Sequence, residues 1–372
     1  MIKSWDYQNE YKFLKKKILT AIDKSLRSGN LFFGNELKKF EKNFLKINKS
    51  RYGLAVASGT DALYLSLKAI NINHNDEVIT VANTAIPTVS AIVNSGAKVK
   101  FVDVNDNYLI DVNKLEKVIT KKTKAIIPVH LYGQSCDMDK ILRIAKKYNI
   151  KIIEDCAQAQ GAKYKRKNVG NFGITGCFSF YPTKVLGAYG DGGFITTNNR
   201  KIFMKLRRLR LYGMEQIDKS NKWNGKYYAN ENGTNSRLSE VQSAILNVKL
   251  KYINKFINRR REIAKMYNNG IKNLNIIKPT ENNENLHVYH LYVVTHKKKN
   301  RELVLKFMKK NNIFLGVQYP YPLHKMSAYK NSKYKKLQKT EKLSSKVFSL
   351  PTYPDIEDSK VNKIIKIINN LN

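Results

Sequence analysis

The chain has 372 residues, 68 Lys and Arg against 29 Asp and Glu (net charge +39), 42% hydrophobic residues and three cysteines. No apolar run is long enough to cross a bilayer, and the opening MIKSWDYQNEYK lacks an export signal's apolar core, so a membrane protein and a secreted disulfide scaffold are excluded and a cytoplasmic protein is expected. Cys136, Cys156 and Cys177 show no CxxC spacing, which argues against a metal site and for buried thiols. The basic residues are spread along the whole chain, so the charge reads first as solvated surface, second as steering for anionic small molecules, and last as a nucleic-acid footprint. The length predicts a large domain over 1–250 and a smaller one over 251–372.

In chain order, residues 8–47 read as helices, with GNELKKFEKNFLKI an amphipathic arm. GLAVA (53–57), EVITVA (77–82), KVKFVDV (98–104), AIIPVH (125–130) and KIIEDC (151–156) read as buried strands. Between them DALYLSLKAI, IPTVSAIVNSG, DVNKLEKVI and MDKILRIAKKYN read as helices. This alternation predicts an α/β domain built on a mainly parallel sheet, whose ligands gather at the carboxyl ends of the strands. Residues 213–236 are polar and aromatic and read as a loop, mobile or contacting a partner. A long helix is predicted over 238–270. A smaller α+β unit follows, with strands HVYHLYVVTH and LGVQY, helix ELVLKFMKKN and a last helix near 357–371.

Three strand ends carry possible chemistry. GLAVASGTDAL runs through Ser58, Gly59 and Thr60 into a helix, offering either an anion site or an ordinary helix cap. KIIEDCAQAQGA ends on Asp155 with Gln158 beyond, and a buried carboxylate there needs a partner: a protonated ring nitrogen, an arginine or a helix start. GCFSFYPTKVLGAYGDGG sets Ser179 on a strand and Lys184 just past a Pro-Thr turn among glycines, where an amine in an apolar setting can lose its proton and attack a carbonyl. A phosphate, a ring nitrogen and an aldehyde satisfy all three, and pyridoxal 5'-phosphate has each.

With these residues in view, the chain resembles the DegT/DnrJ/StrS family of pyridoxal-phosphate-dependent sugar aminotransferases. The likeness rests on the arm from Gly34 to Glu41, VASGTDAL, PVHLYGQSCDMD, EDCAQAQGA, FSFYPTKVLGAYGDGG, GTNSRLSEVQSAIL and SLPTYPD. It implies the aspartate-aminotransferase-like fold (fold type I) and a homodimer with shared sites. By position, Lys184 would bond the cofactor aldehyde and Asp155 pair with the ring nitrogen. Gln158 would lie against the cofactor ring or its hydroxyl, and Ser58, Gly59, Thr60 and Ser179 would hold the phosphate. Asn235 would reach the phosphate in the other subunit. His130, Tyr132 and Arg237 are candidate substrate contacts, with a core histidine and a structural ion pair as the alternatives for His130 and Arg237. Two positions depart from many relatives: Ala85 stands where an aromatic residue stacks on the cofactor, and Val185 where asparagine is usual. The expected reaction transfers an amino group from L-glutamate to a nucleotide-linked 3- or 4-keto-6-deoxyhexose for a surface glycan. A dehydratase on similar sugars is the alternative, though relatives of that kind replace the lysine by histidine; a nucleic-acid-binding regulator is a third.

Overall fold

The computed structural model describes residues 1–214, 228–282, 284–330 and 336–371. Part of the loop expected over 213–236, residues 215–227, lies outside these. Helices α1 (Gln8–Arg27) and α2 (Asn35–Asn48) lead into β1 (Tyr52–Val56), α3 (Gly59–Ala69), β2 (Glu77–Val81), α4 (Ile86–Asn94) and β3 (Lys98–Val102). Then come α5 (Val112–Leu115), β4 (Thr123–Ile126), α6 (Met138–Lys147), β5 (Lys151–Asp155) and a small hairpin, β6 (Lys163–Tyr164) with β7 (Lys167–Asn168). The large unit closes with β8 (Thr175–Ser179), β9 (Gly193–Thr197), α7 (Arg200–Leu209) and α8 (Glu240–Leu250). Beyond it lie α9 (Ile253–Gly270), β10 (Ile276–Ile277), β11 (Tyr292–His296), α10 (Arg301–Lys310), α11 (Gln338–Ser344), β12 (Phe348–Leu350) and α12 (Asp358–Asn369).

Seven strands form one sheet in the order β1-β9-β8-β5-β4-β2-β3. Only β9 runs against its neighbours; the rest are mutually parallel. Both faces are covered, as the continuous apolar strands require. On one side Leu63, Leu67, Val89, Ile92, Leu206 and Leu209 from α3, α4 and α7 pack on Val56, Val78 and Ile195. On the other, Met138, Ile141 and Ala145 of α6 meet Ile79, Ile126 and Ile152. The parallel strands therefore end on one edge, and Ser58, Ser179, Asp155 and the start of α4 line up along it.

The smaller unit packs α9, α10 and α12 on the antiparallel sheet β10-β11-β12 around Tyr267, Tyr292, Val294, Met308 and Ile364. Ile2 joins this core and bridges to Ile313. Three expectations need correction. The helix predicted over 238–270 is two helices, α8 and α9, broken at Lys251 and Tyr252. LGVQY forms no strand, only a bridge from Gly316 to Ser349. DVNKLEKVI yields four residues of α-helix and then a 3-10 turn. Among the described residues, no helix is long and apolar enough to cross a membrane.

Candidate active site

The strand edge opens on a cavity of about 330 Å³ lined by Ser58, Gly59, Thr60, Ala85, Asp155, Gln158, Ser179 and Lys184. At one end α3 begins. The Ser58 hydroxyl caps it, accepting from the Asp61 amide at 3.0 Å. The amides of Gly59 and Thr60 meet no acceptor among the described residues, so they present the positive end of the helix to the cavity. Gly59 must lack a side chain, because a Cβ there would stand 2.7 Å from the Ser179 Cβ. That close approach puts the Ser179 hydroxyl beside the free amides.

Asp155, at the end of β5, is buried. Its Oδ2 accepts from the Thr88 hydroxyl at 2.8 Å and its Oδ1 from the Ala157 amide at 3.1 Å. Burial raises its pKa; these two hydrogen bonds and Lys184 pull the other way without cancelling it. A carboxylate so placed is short of positive charge. Gln158 is held at both ends, accepting from the Tyr132 amide at 2.8 Å and donating to the Tyr319 hydroxyl at 2.8 Å.

Lys184 closes a turn by donating its amide to the Tyr181 carbonyl at 2.9 Å. A Cβ at Gly187 would sit 2.3 Å from the Pro182 carbonyl oxygen, so the glycine lets the loop double back tightly behind the lysine. Burial pulls the Lys184 ammonium down to about 8, against the attraction of Asp155. An amine near that value is poised to act as a nucleophile or to exchange protons near neutral pH.

Beyond Lys184 a second cavity of about 300 Å³ opens toward the smaller unit, sharing Gln158, Tyr181 and Lys184 with the first. Trp5, Arg260, His290, Gln318 and Tyr319 are among its lining residues.

The matching family model is the DegT/DnrJ/EryC1/StrS aminotransferase family, over residues 12–369. The chain belongs to this aminotransferase family. It is 43% identical, over 95% of each chain, to the dTDP-3-amino-3,6-dideoxy-alpha-D-galactopyranose transaminase of Aneurinibacillus thermoaerophilus. The crystal structure of S. venezuelae DesV in complex with a ketimine intermediate superposes with a TM-score of 0.93 at 33% identity, covering 99% of this chain and 98% of that one. That of NtdA from Bacillus subtilis with bound cofactor PMP does so with a TM-score of 0.88 at 30% identity, covering 95% and 81%. The aspartate-aminotransferase-like fold expected from the sequence is therefore the fold of this aminotransferase.

Within this family member the expected residues divide into two groups. Ser58, Gly59, Thr60, Asp155, Gln158, Ser179 and Lys184 all line one cavity. His130 and Tyr132 line neither of the two cavities that meet at Lys184. His130 is wholly buried, with Nε2 3.1 Å from a Glu154 oxygen and Nδ1 accepting from the Cys136 amide at 3.0 Å. Tyr132 packs edge-on to Tyr108 beside a separate cavity of about 170 Å³ and serves Gln158 through its backbone. Asn235 is exposed, does not line its own chain's cavity, and is paired to Leu211 in a short bridge. Arg237 stacks its guanidinium over Phe32 at 4.3 Å. Val185 is buried in the core with Phe178 and Phe180 and does not line the cavity. Ala85 does line it, and Tyr181 is the one aromatic residue among the described lining residues. Sequence reasoning missed Thr88, Tyr319, Arg260 and His290; the TAIPT turn was a signal for Thr88, while the other three come from the smaller unit and have no local motif.

His130, Glu154 and Cys156 bring possible metal ligand atoms within 4.8 Å of one another. The Glu154 oxygens, however, already accept from the amides of Gly170, Phe172 and Gly173 at 2.7–2.8 Å, which makes the carboxylate a backbone clamp.

Proposed function

We propose that this aminotransferase uses pyridoxal 5'-phosphate to move an amino group from L-glutamate to a nucleoside-diphosphate-linked 3- or 4-keto-6-deoxyhexose, working in the cytoplasm as a homodimer. The observation that carries this reading is that three different chemical needs meet in one cavity: free amides at a helix start, a buried carboxylate short of positive charge, and an amine held near pH 8. When bound, the cofactor supplies an aldehyde and a ring that withdraws electrons from a developing carbanion.

The rest belongs to the chain's own residues. Gly59, Thr60 and Ser179 would hold the phosphate. Asp155, oriented by Thr88 and the Ala157 amide, would hold a proton on the ring nitrogen. Gln158, fixed by Tyr132 and Tyr319, would lie along the ring. Lys184 would bond the aldehyde at rest and, once released, take the proton from the donor's α-carbon and deliver it to the cofactor's C4′. The activity of the Aneurinibacillus relative, a dTDP-aminosugar transaminase, supports a nucleotide-linked aminosugar as the product.

The dimer reading is supported by the position of Asn235 and Arg237. Asn235 is exposed, and Arg237 stacks on Phe32, itself exposed by 42% and next to Leu31, exposed by 58%, where a second copy would cover apolar surface.

The test is spectroscopic. Protein loaded with pyridoxal phosphate should show a visible band that glutamate bleaches and that a nucleotide-linked 3-keto or 4-keto-6-deoxyhexose restores. Absence of bleaching would remove transamination from glutamate; bleaching with no restoration by any such sugar would remove the acceptor assignment alone.

A further inference from the structure

Two carboxylates stand side by side at the end of β5, and they are served very differently. Glu154 accepts from the amides of Gly170, Phe172 and Gly173 and faces His130. Asp155 has, among the described residues, one donor on each oxygen: the Ala157 amide on Oδ1 at 3.1 Å and the Thr88 hydroxyl on Oδ2 at 2.8 Å. At the start of α4, Pro87 has no N–H and the Thr88 amide bonds the Ala85 carbonyl at 3.2 Å. What this helix gives Asp155 is therefore a side-chain hydroxyl.

That hydroxyl is itself held. The Thr84 hydroxyl lies 3.1 Å from it. A hydroxyl carries one proton, and Thr88 gives its own to Asp155, so the proton between the two threonines comes from Thr84. The chain runs one way, from Thr84 to Thr88 to Asp155. Both threonines are 1% exposed, and both line the cavity that holds Lys184. In such a chain each bond polarises the next.

We infer that Thr84 and Thr88 are positioning residues for Asp155, a one-way pair of hydroxyls that fixes Oδ2 and stabilises the ionised carboxylate in its buried place. The bearing on the reaction rests on the cofactor proposed above, because Asp155 can keep a proton on a ring nitrogen only while it is itself ionised. Burial works against ionisation; the Thr88 hydroxyl, the Ala157 amide, Lys184 and His130 work for it. Tyr319 of the smaller unit and the Cys156 and Cys177 thiols also act on Asp155, and burial raises all three, so they are uncharged near neutral pH. With two donors in all, the loss of one is a large change for a buried carboxylate.

The test reads Asp155 itself. In cofactor-free protein labelled with ¹³C at the aspartate carboxyl, its resonance is assigned by its absence in Asp155→Asn and followed against pH. Thr88→Val keeps the shape and loses the hydroxyl, and should raise the titration midpoint by about one to two pH units. Thr88→Ala should do the same, and decides the matter if the valine protein fails to fold. Thr84→Val, one bond farther away, should raise the midpoint by roughly a few tenths of a unit. Thr88→Ser keeps the hydroxyl and should titrate like wild type. In the cofactor-loaded enzyme, Thr88→Val should slow single-turnover conversion by glutamate about tenfold at pH 7. Half-saturating glutamate should change little, and Thr88→Ser should restore the rate.

A midpoint that loss of the Thr88 hydroxyl leaves in place overturns the inference. So does a Thr88→Ser protein that titrates like Thr88→Val, which would trace the effect to packing of the methyl group. A Thr84→Val midpoint equal to that of wild type breaks the chain at its first member. These titrations need no cofactor: if no amino acid converts the loaded wild type, the transaminase reading falls, while the midpoints still decide what the threonines do.

Discussion

Lys184 and Asp155 share a cavity, and each shifts the other's proton affinity. The folded value of Lys184, about 8, lies below its ordinary 10.5. Below pH 8 the cofactor-free fold therefore bears the full cost of a partly desolvated ammonium; the cost fades between 8 and 10.5 and is gone above. Lys184→Met should accordingly raise the Tm of the cofactor-free protein at pH 7 by roughly 2–4 °C, with the gain vanishing by about pH 10.5. Thermal unfolding across that range checks the sign: a loss of stability at pH 7 would mean that the lysine is well solvated. Asp155→Asn keeps the shape and loses the charge, so it should lower the turnover number by about 10²–10³-fold while leaving phosphate-end binding largely intact. Single-turnover absorbance with glutamate measures it. These residues were legible in the sequence because each lies within a few residues of a strand end. Arg260, His290 and Tyr319 were not, since they reach Lys184 only through the packing of the smaller unit.

At the scale of elements, two buried glutamates hold the site's supports in place. Glu154 accepts three backbone amides from the 170–173 turn and faces His130, tying the end of β5 to the loop before β8. Replacing it by Gln turns an acceptor oxygen into an NH₂ facing backbone donors. Glu154→Gln should cost about 2–4 kcal/mol in denaturant unfolding of the cofactor-free protein. Glu240, on α8, caps α2 by accepting the amides of Gly34, Glu36 and Leu37 at 2.8–3.1 Å. Glu240→Ala should cost about 1–2 kcal/mol in the same assay. The parallel strands and the α3 and α4 helices were readable from apolar runs and capping residues. The α8–α9 break was not, because apolar residues continue through it on both sides and no Pro or Gly marks it. LGVQY had the apolar content of a strand, but its backbone finds only the single bridge to Ser349.

For the whole molecule, the +39 charge is a surface property that leaves the cavity's chemistry to a few enclosed groups. If Asn235 serves the site of the other subunit, two individually damaged proteins should rescue each other. Mixed Lys184→Ala and Asn235→Ala subunits, unfolded and refolded together, should recover about a quarter of wild-type activity, because a mixed dimer gathers both defects into one site and leaves the other intact. No recovery on mixing would place Asn235 in its own subunit's chemistry or in none. Beneath all of these stands the amine at position 184. Loading the protein with pyridoxal phosphate, reducing it with borohydride and mapping the labelled peptide tests that amine most directly. The account predicts one tag, on Lys184; a tag on another lysine, or none after loading, would contradict it.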